Sequence, residues 1–297
     1  MDRRILVLGC SGEIGSRISE TFLASGHEVY GIRGSRICRI QNTNHKCLQM
    51  DLLDPGLDLD LSRIKPSILI HSAWITKPGV FWNSPQNFEW VKASKSIVSE
   101  FKSVGGKYVV VTSSCAEYSW QGNTPLSELS LTDPSSEYGR AKLEFLNWLQ
   151  LNITSYLWVR IFFQFGLQEV YGRLIPSMID EMLAGNQYLI RSGHDVRDFV
   201  YIKDVVKVLE NLVLKQINGI VNIGTGESMT VEKVGRIIAK AIGREDLLQF
   251  KIPSQTESIV VSDSEKLLSL VGNFNWTNFE QAIMETINSR LELSKRK

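Results

Sequence analysis

Tyr138 and Lys142 stand four residues apart in Tyr138-Gly139-Arg140-Ala141-Lys142, the spacing that places two side chains on one face of a helix. An ammonium beside a phenol favours the phenolate, which suits a tyrosine for proton transfer near neutral pH. Upstream, an apolar run ends in Thr112-Ser113-Ser114. A serine hydroxyl at the carboxyl end of a strand can hold a reacting oxygen beside such a tyrosine. Near the N-terminus, Gly9-Cys10-Ser11-Gly12-Glu13-Ile14-Gly15 has the spacing GxxGxxG. Its glycines would allow a tight turn, a close backbone approach to a pyrophosphate, and close packing of the next helix, whose positive end would face the phosphates. Gly9, Ser11, Gly12, Glu13 and Ile14 are therefore candidates for holding a dinucleotide.

The elements around these residues alternate. Ile5-Leu6-Val7-Leu8 is a continuous apolar run, as expected of a strand buried on both faces. Ile14, Ile18 and Phe22 then recur every four residues, one face of a helix that Ser25-Gly26 ends. Further strands are predicted at 28–32, 47–50, 67–70, 108–111 and 157–161, with helices at 87–103 and 137–151. Strands alternating with helices imply a parallel sheet covered on both faces. Beyond 165 the rhythm loosens into helices at 175–185, 203–214 and 230–242 with short strands at 187–190 and 220–223. The predicted architecture is α/β, a Rossmann-type doubly wound parallel sheet with a smaller C-terminal substrate-binding lobe. The dinucleotide domain is expected over 1–165, with 197–223 also contributing. The smaller lobe is expected over 166–196 and 224–297.

The end of the second strand chooses between two dinucleotides. An acid there would bond a ribose 2′-OH and favour NAD, whereas arginine would pair with the 2′-phosphate of NADP. Here Glu28-Val29-Tyr30-Gly31-Ile32 is followed by Arg33-Gly34-Ser35-Arg36. Arg33 and Arg36 can clamp a phosphate and Ser35 can add a hydrogen bond, so NADP(H) is the expected cofactor. Asp51 and Leu52, after the third strand, are placed to line the adenine. Ser72 and Ala73, after the fourth, lie near the cofactor's path. His71 beside them reads as a packed, satisfied histidine.

Composition removes other classes. Lys and Arg number 33 and Asp and Glu 32, so the net charge is +1. That balance argues against a nucleic-acid or membrane-surface protein. No apolar run reaches the length of a membrane helix, and MDRRILVLG reads as an early strand rather than a signal peptide. A soluble, reduced, cytoplasmic protein is expected. Cys10, Cys38, Cys47 and Cys115 fit no CxxC or Cys/His zinc spacing and no disulfide framework. His27, His45 and His194 show no metal-ligand grouping, so no metal is expected.

With these residues in place, the chain resembles the extended short-chain dehydrogenase/reductases, the NAD(P)-dependent epimerase/dehydratase family that acts on nucleotide sugars. The resemblance covers nearly the whole chain. Arg197-Asp198-Phe199-Val200-Tyr201-Ile202-Lys203-Asp204 is similar to the family's RDFVYVDD segment, and Asn222-Ile223-Gly224-Thr225-Gly226 to its NIGTG. The resemblance implies Ser114, Tyr138 and Lys142 as the catalytic triad, with Tyr138 and Lys142 also touching the cofactor. It implies a substrate surface that includes Ser114, Cys115, Ala116, Phe163 and Arg197, with Arg197 on the substrate's diphosphate or nucleotide. A homodimer through the helices at 87–103 and 137–151 is implied in the same way.

The departures narrow the reaction. In Ser114-Cys115-Ala116-Glu117-Tyr118, Ala116 stands where the family's dehydratases carry the acid/base glutamate, and Glu117 is one position late. On an extended segment Glu117 would face the other way. Phe163 stands where epimerases often carry a substrate-touching asparagine. Phe81, Trp82, Trp90 and Trp120 make the region unusually aromatic and could stack on a base or a deoxysugar, although core packing is the commoner role for any one of them. The leading expectation is NADPH-dependent reduction of a keto group, at C4, on a nucleotide-diphosphate keto-deoxy sugar. Two alternatives stay open: a nucleotide-sugar epimerase with tightly held NAD, and a non-catalytic NADP-binding scaffold.

Overall fold

The computed structural model describes residues 4–57, 59–251 and 258–295; Met1–Arg3, at the start of the N-terminal segment, lie outside them. In chain order the elements are β1 (Arg4–Leu8), α1 (Glu13–Ala24), β2 (Glu28–Arg33), β3 (His45–Gln49), α2 (Leu61–Ile64), β4 (Ile68–His71), α3 (Gln86–Ser103), β5 (Tyr108–Ser114), α4 (Glu137–Asn152) and β6 (Tyr156–Ile161). There follow β7 (Phe163–Phe165), α5 (Leu174–Leu183), β8 (Tyr188–Ile190), β9 (Val196–Arg197), β10 (Phe199–Tyr201), α6 (Ile202–Leu214) and β11 (Gly219–Ile223). The chain ends with β12 (Met229–Thr230), α7 (Val231–Ile242), β13 (Leu248–Phe250), β14 (Ile259–Val260), α8 (Glu265–Val271) and α9 (Phe279–Ser294).

The main sheet has seven strands in the order β11-β6-β5-β4-β1-β2-β3, the Rossmann-type doubly wound arrangement the sequence predicts. The pairings from β3 through β5 run parallel. β1 and β4 are neighbours although the chain visits β2 and β3 between them. That reversal of winding is the switch point at which such sheets open a crevice for ligands. Ile5, Leu6, Val7 and Leu8 are fully buried, which explains a run with no polar alternation. Among the described residues no helix is long and apolar enough to cross a membrane.

The chain divides into two compact units. The first comprises Met1–Tyr118, Leu131–Arg160 and Val206–Val221, and the second Ser119–Ser130, Ile161–Val205 and Asn222–Lys297. This differs from the expected boundaries at four places. Ser119–Ser130, 161–165, 197–205 and 222–223 group with the second unit, leaving Val206–Val221 as the returning piece.

In the second unit one buried carboxylate explains two motifs. Asp198 is fully buried. It accepts hydrogen bonds from the Thr225 amide (2.9 Å) and hydroxyl (2.7 Å), the Gly226 amide (3.0 Å), and the Ser262 amide (3.2 Å) and hydroxyl (2.8 Å). Five donors satisfy a charge that would otherwise be very costly to bury. Gly224 is required beside it, because a Cβ there would lie 2.5 Å from the Asp198 carboxylate.

Candidate active site

All three expected catalytic residues lie in the first unit. Ser136 starts α4 by accepting a hydrogen bond from the Gly139 amide at 3.1 Å, an N-cap that fixes Tyr138 in the first turn. A Cβ at Gly139 would stand 2.2 Å from the Ala116 carbonyl oxygen. Glycine at this position therefore lets α4 press against the turn that follows β5. Ser114 caps that turn, a short 3-10 helix over Cys115–Glu117, accepting from the Ala116 amide at 3.1 Å. A hydroxyl that accepts there still has its own hydrogen to donate. Cys115 and Ala116 are buried within the turn.

Lys142 is almost wholly buried. Its ammonium donates to the Thr112 carbonyl at 3.2 Å, lies 3.7 Å from the centre of the Trp74 ring, and 5.9 Å from that of Tyr138. Burial lowers its pKa to about 7, and the charge of Glu117 opposes that shift. Tyr138 meets Phe81 and Trp82 edge to face, with centroids 5.1 and 5.8 Å apart. Phe81 is buried, and Trp90 stacks on Trp74 at 6.0 Å within the surrounding core.

Trp74 and Asn87 are the residues the sequence did not single out. The Trp74 indole donates to Asn87 at 2.8 Å, and Asn87 donates to the Phe81 and Ser84 carbonyls at 2.7 and 2.8 Å. One buried amide thus ties the ring under Lys142 to the turn that carries Phe81 and Trp82.

Glu117 does not lie on an extended segment. It sits in the 3-10 turn, fully buried, and accepts from the Arg160 guanidinium at 2.7 Å, the Trp158 indole at 2.9 Å and the Ser113 hydroxyl. A carboxylate so fully engaged is a structural anion rather than an acid/base group. His71 is buried as expected, with Nε2 bonded to Ser94 at 2.8 Å, but its Nδ1 has no hydrogen-bond partner. Burial lowers its pKa to about 3, helped by the nearby Lys142 charge.

The glycine loop has the form of a phosphate cradle. Gly9 adopts φ +81°, and a Cβ there would meet the Ala73 backbone at 2.9 Å. A Cβ at Gly15 would be 2.1 Å from the Gly9 carbonyl oxygen. Gly12 is the N-cap of α1 and offers no capping side chain, so the first-turn amides carry the positive helix end without a side-chain cap. Glu13, in that turn, pairs with Arg17 at 3.1 Å. Ser72 and Ala73 back the loop, with the Ser72 hydroxyl donating to the Leu8 carbonyl at 2.7 Å. These features fit a dinucleotide pyrophosphate.

At the end of β2, Arg33 donates to the carbonyls of Gly34 (3.0 Å) and Arg36 (3.3 Å). Ser35 and Arg36 are exposed. Asp51 is exposed and accepts from the Leu53 amide at 3.0 Å, while Leu52 is buried in the hydrophobic core. The expectation of no metal-ligand grouping is overturned here: Cys10, Cys38, His45 and Cys47 converge, with ligand atoms all within 4.8 Å of one another. The reason is that strand pairing, not sequence spacing, gathers them.

The second unit carries Phe163 and Arg197. The Arg197 guanidinium lies 5.2 Å from the Phe163 ring and 5.6 Å from the Trp120 ring. It donates to Asp195 at 2.9 Å and to the carbonyls of Val196 and Ser258 at 2.9 and 2.6 Å. Arg197 is therefore anchored within its own unit.

The NAD dependent epimerase/dehydratase family model matches residues 5–224. A UDP-glucose 4-epimerase of Mycolicibacterium smegmatis is 26% identical over 271 residues, covering 84% of this chain and 86% of its own. A solved structure of TunA, a NAD-dependent NDP-hexosamine 5,6-dehydratase of tunicamycin biosynthesis, is 26% identical with a TM-score of 0.83, covering 98% of both chains. A UDP-N-acetylglucosamine 4-epimerase from Methanobrevibacter ruminantium, solved with UDP-N-acetylmuramic acid, has a TM-score of 0.86 at 24% identity and covers 98% of this chain and 99% of its own. This last likeness speaks to the fold alone.

Proposed function

The chain belongs to the NAD-dependent epimerase/dehydratase family, and we propose that within it this protein reduces a keto group, at C4, of a nucleotide-diphosphate keto-deoxy sugar with NADPH. The observation that carries the reductase reading is the end of β2, where Arg33, Ser35 and Arg36 replace the acid that would select NAD. The cofactor, when bound along Gly9, Ser11, Gly12, Glu13 and Ile14 with Asp51, Leu52, Ser72 and Ala73 about it, supplies a hydride. Tyr138 donates a proton to the developing alkoxide, and Ser114 hydrogen-bonds the same oxygen. Lys142, held over Trp74, tunes the phenol and holds the ribose. By the family resemblance, Cys115, Ala116 and Phe163 are assigned to the sugar and Arg197 to its diphosphate. Ala116 supplies no acid/base, and Glu117 is consumed by Arg160, which supports reduction over dehydration.

The test mixes purified protein with NADPH or NADH and a panel of nucleotide 4-keto sugars, following loss of the reduced-nicotinamide absorbance. Faster oxidation of NADPH is expected, and Arg33→Asp should shift the preference toward NADH. Binding of NADPH without turnover across the panel would contradict the reading.

A second reading, epimerisation at C4, is favoured by the resemblance to the Mycolicibacterium epimerase. It uses the same Ser114, Tyr138 and Lys142. Tightly held NAD in the purified protein, with UDP-glucose and UDP-galactose interconverted without added cofactor, would select it. The pairing of α3 and α4 in the first unit presents the surface through which we place a homodimer, which light scattering tests.

A further inference from the structure

Cys10 follows β1 inside the glycine loop, whereas His45 and Cys47 lie on β3. Residues two apart on a strand point to one face, so His45 and Cys47 project together. Between β1 and β3 runs β2, with Gly31 opposite Cys47 in the register. A Cβ at Gly31 would lie 2.5 Å from the Cys10 sulfur and 2.9 Å from His45 Nε2. The missing side chain lets the three groups meet across the middle strand. Cys38, from the irregular connection between β2 and β3, completes the set.

We propose that Cys10, Cys38, His45 and Cys47 form a Cys3His site for one Zn2+ ion, a structural centre that ties the β2–β3 connection to the glycine loop. Two sulfurs bound to one tetrahedral zinc at about 2.3 Å stand about 3.8 Å apart. The Cys10 and Cys47 sulfurs are 3.6 Å apart, far longer than the roughly 2.0 Å of a disulfide. His45 Nε2 is buried without a hydrogen-bond partner, while the Ile40 carbonyl bonds the ring. A carbonyl on the ring of a metal-binding histidine orients it and leaves the other nitrogen's lone pair for the metal. Four protein ligands with two elements of N/S softness match zinc and leave no open position, so the centre holds structure rather than performing chemistry. Binding releases the three thiol protons to solvent and changes no oxidation state.

The test uses tag-free protein purified under reducing, anaerobic conditions. Elemental analysis should find about one zinc per chain. Titration of the chelator-treated protein with Co2+ should give sulfur-to-cobalt charge-transfer bands and the intense visible bands of a tetrahedral centre, both displaced by Zn2+. Cys38→Ser and Cys47→Ser should each weaken Co2+ binding by on the order of 100-fold, and Cys115→Ser should leave it unchanged. Chelation should lower the thermal midpoint, and added Zn2+ should restore it. Folding of each variant is checked by circular dichroism, and the wild-type titration decides the question even where a variant fails to fold. Three results would overturn the proposal: no tight Co2+ binding by the reduced, folded wild type, equal binding by a Cys38→Ser/His45→Ala/Cys47→Ser variant, or a Cys10–Cys47 disulfide as the stable form in reducing buffer.

Discussion

The ammonium of Lys142 stands 3.7 Å from the centre of the Trp74 ring. A desolvated cation–π contact of this kind is worth about 2 kcal/mol, and it favours the charged form of a lysine that burial otherwise pushes toward neutrality. Trp74→Leu should therefore lower the apparent pKa governing turnover and reduce kcat by about 10-fold. Trp74→Phe, which keeps a ring face, should do less. A pH–rate profile of the three proteins checks this. An unchanged profile in Trp74→Leu would show that the ring is only packing.

Lys142 also makes stability depend on pH. Its pKa falls from 10.5 unfolded to about 7 folded. Between those values the unfolded chain binds the extra proton, so stability rises with pH across that window. The penalty is full below about 7 and gone above 10.5. Lys142→Met keeps the length and apolar stem but removes the charge. It should be more stable than wild type by a few kcal/mol below the window, with the gap closing as pH climbs through it. Urea unfolding at a series of pH values measures that gap, and a gap that is constant with pH would contradict the assignment.

Gly139 is held by geometry rather than by conformation. A Cβ there would be 2.2 Å from the Ala116 carbonyl oxygen, a backbone atom that cannot swing away. Gly139→Ala should displace the start of α4 from the Ser114 turn, lowering kcat by more than about 10-fold because small misplacements of reacting groups are expensive. KM for the cofactor should change far less. Equal losses in both would point to general unfolding.

The alternation of strands and helices, the glycine loop and the Tyr138/Lys142 spacing were legible because each is local. The continuous apolar run of β1 and the four-residue recurrence of α1 report burial directly. What was not legible depends on residues distant in sequence. Trp74 meets Lys142 only because β4 and α4 come together. Cys10, Cys38, His45 and Cys47 match no linear metal spacing because β2 and its Gly31 stand between them. The sequence suggests an extended segment for Glu117, but the chain turns at Ser114, whose hydroxyl caps the 3-10 turn. α9 has a weak helical signal in the sequence because its buried positions include Ala282 and Thr286 beside Ile283 and Ile287, a stripe only modestly apolar.

We propose Tyr138 as the proton donor to a sugar oxygen whose carbon receives the hydride. The most direct measurement compares wild type and Tyr138→Phe, first for NADPH binding by fluorescence and then for turnover of a nucleotide 4-keto sugar. NADPH binding within about 3-fold of wild type and a loss of kcat on the order of 1,000-fold are expected, as when a general acid is removed. Turnover by Tyr138→Phe at close to the wild-type rate would contradict it.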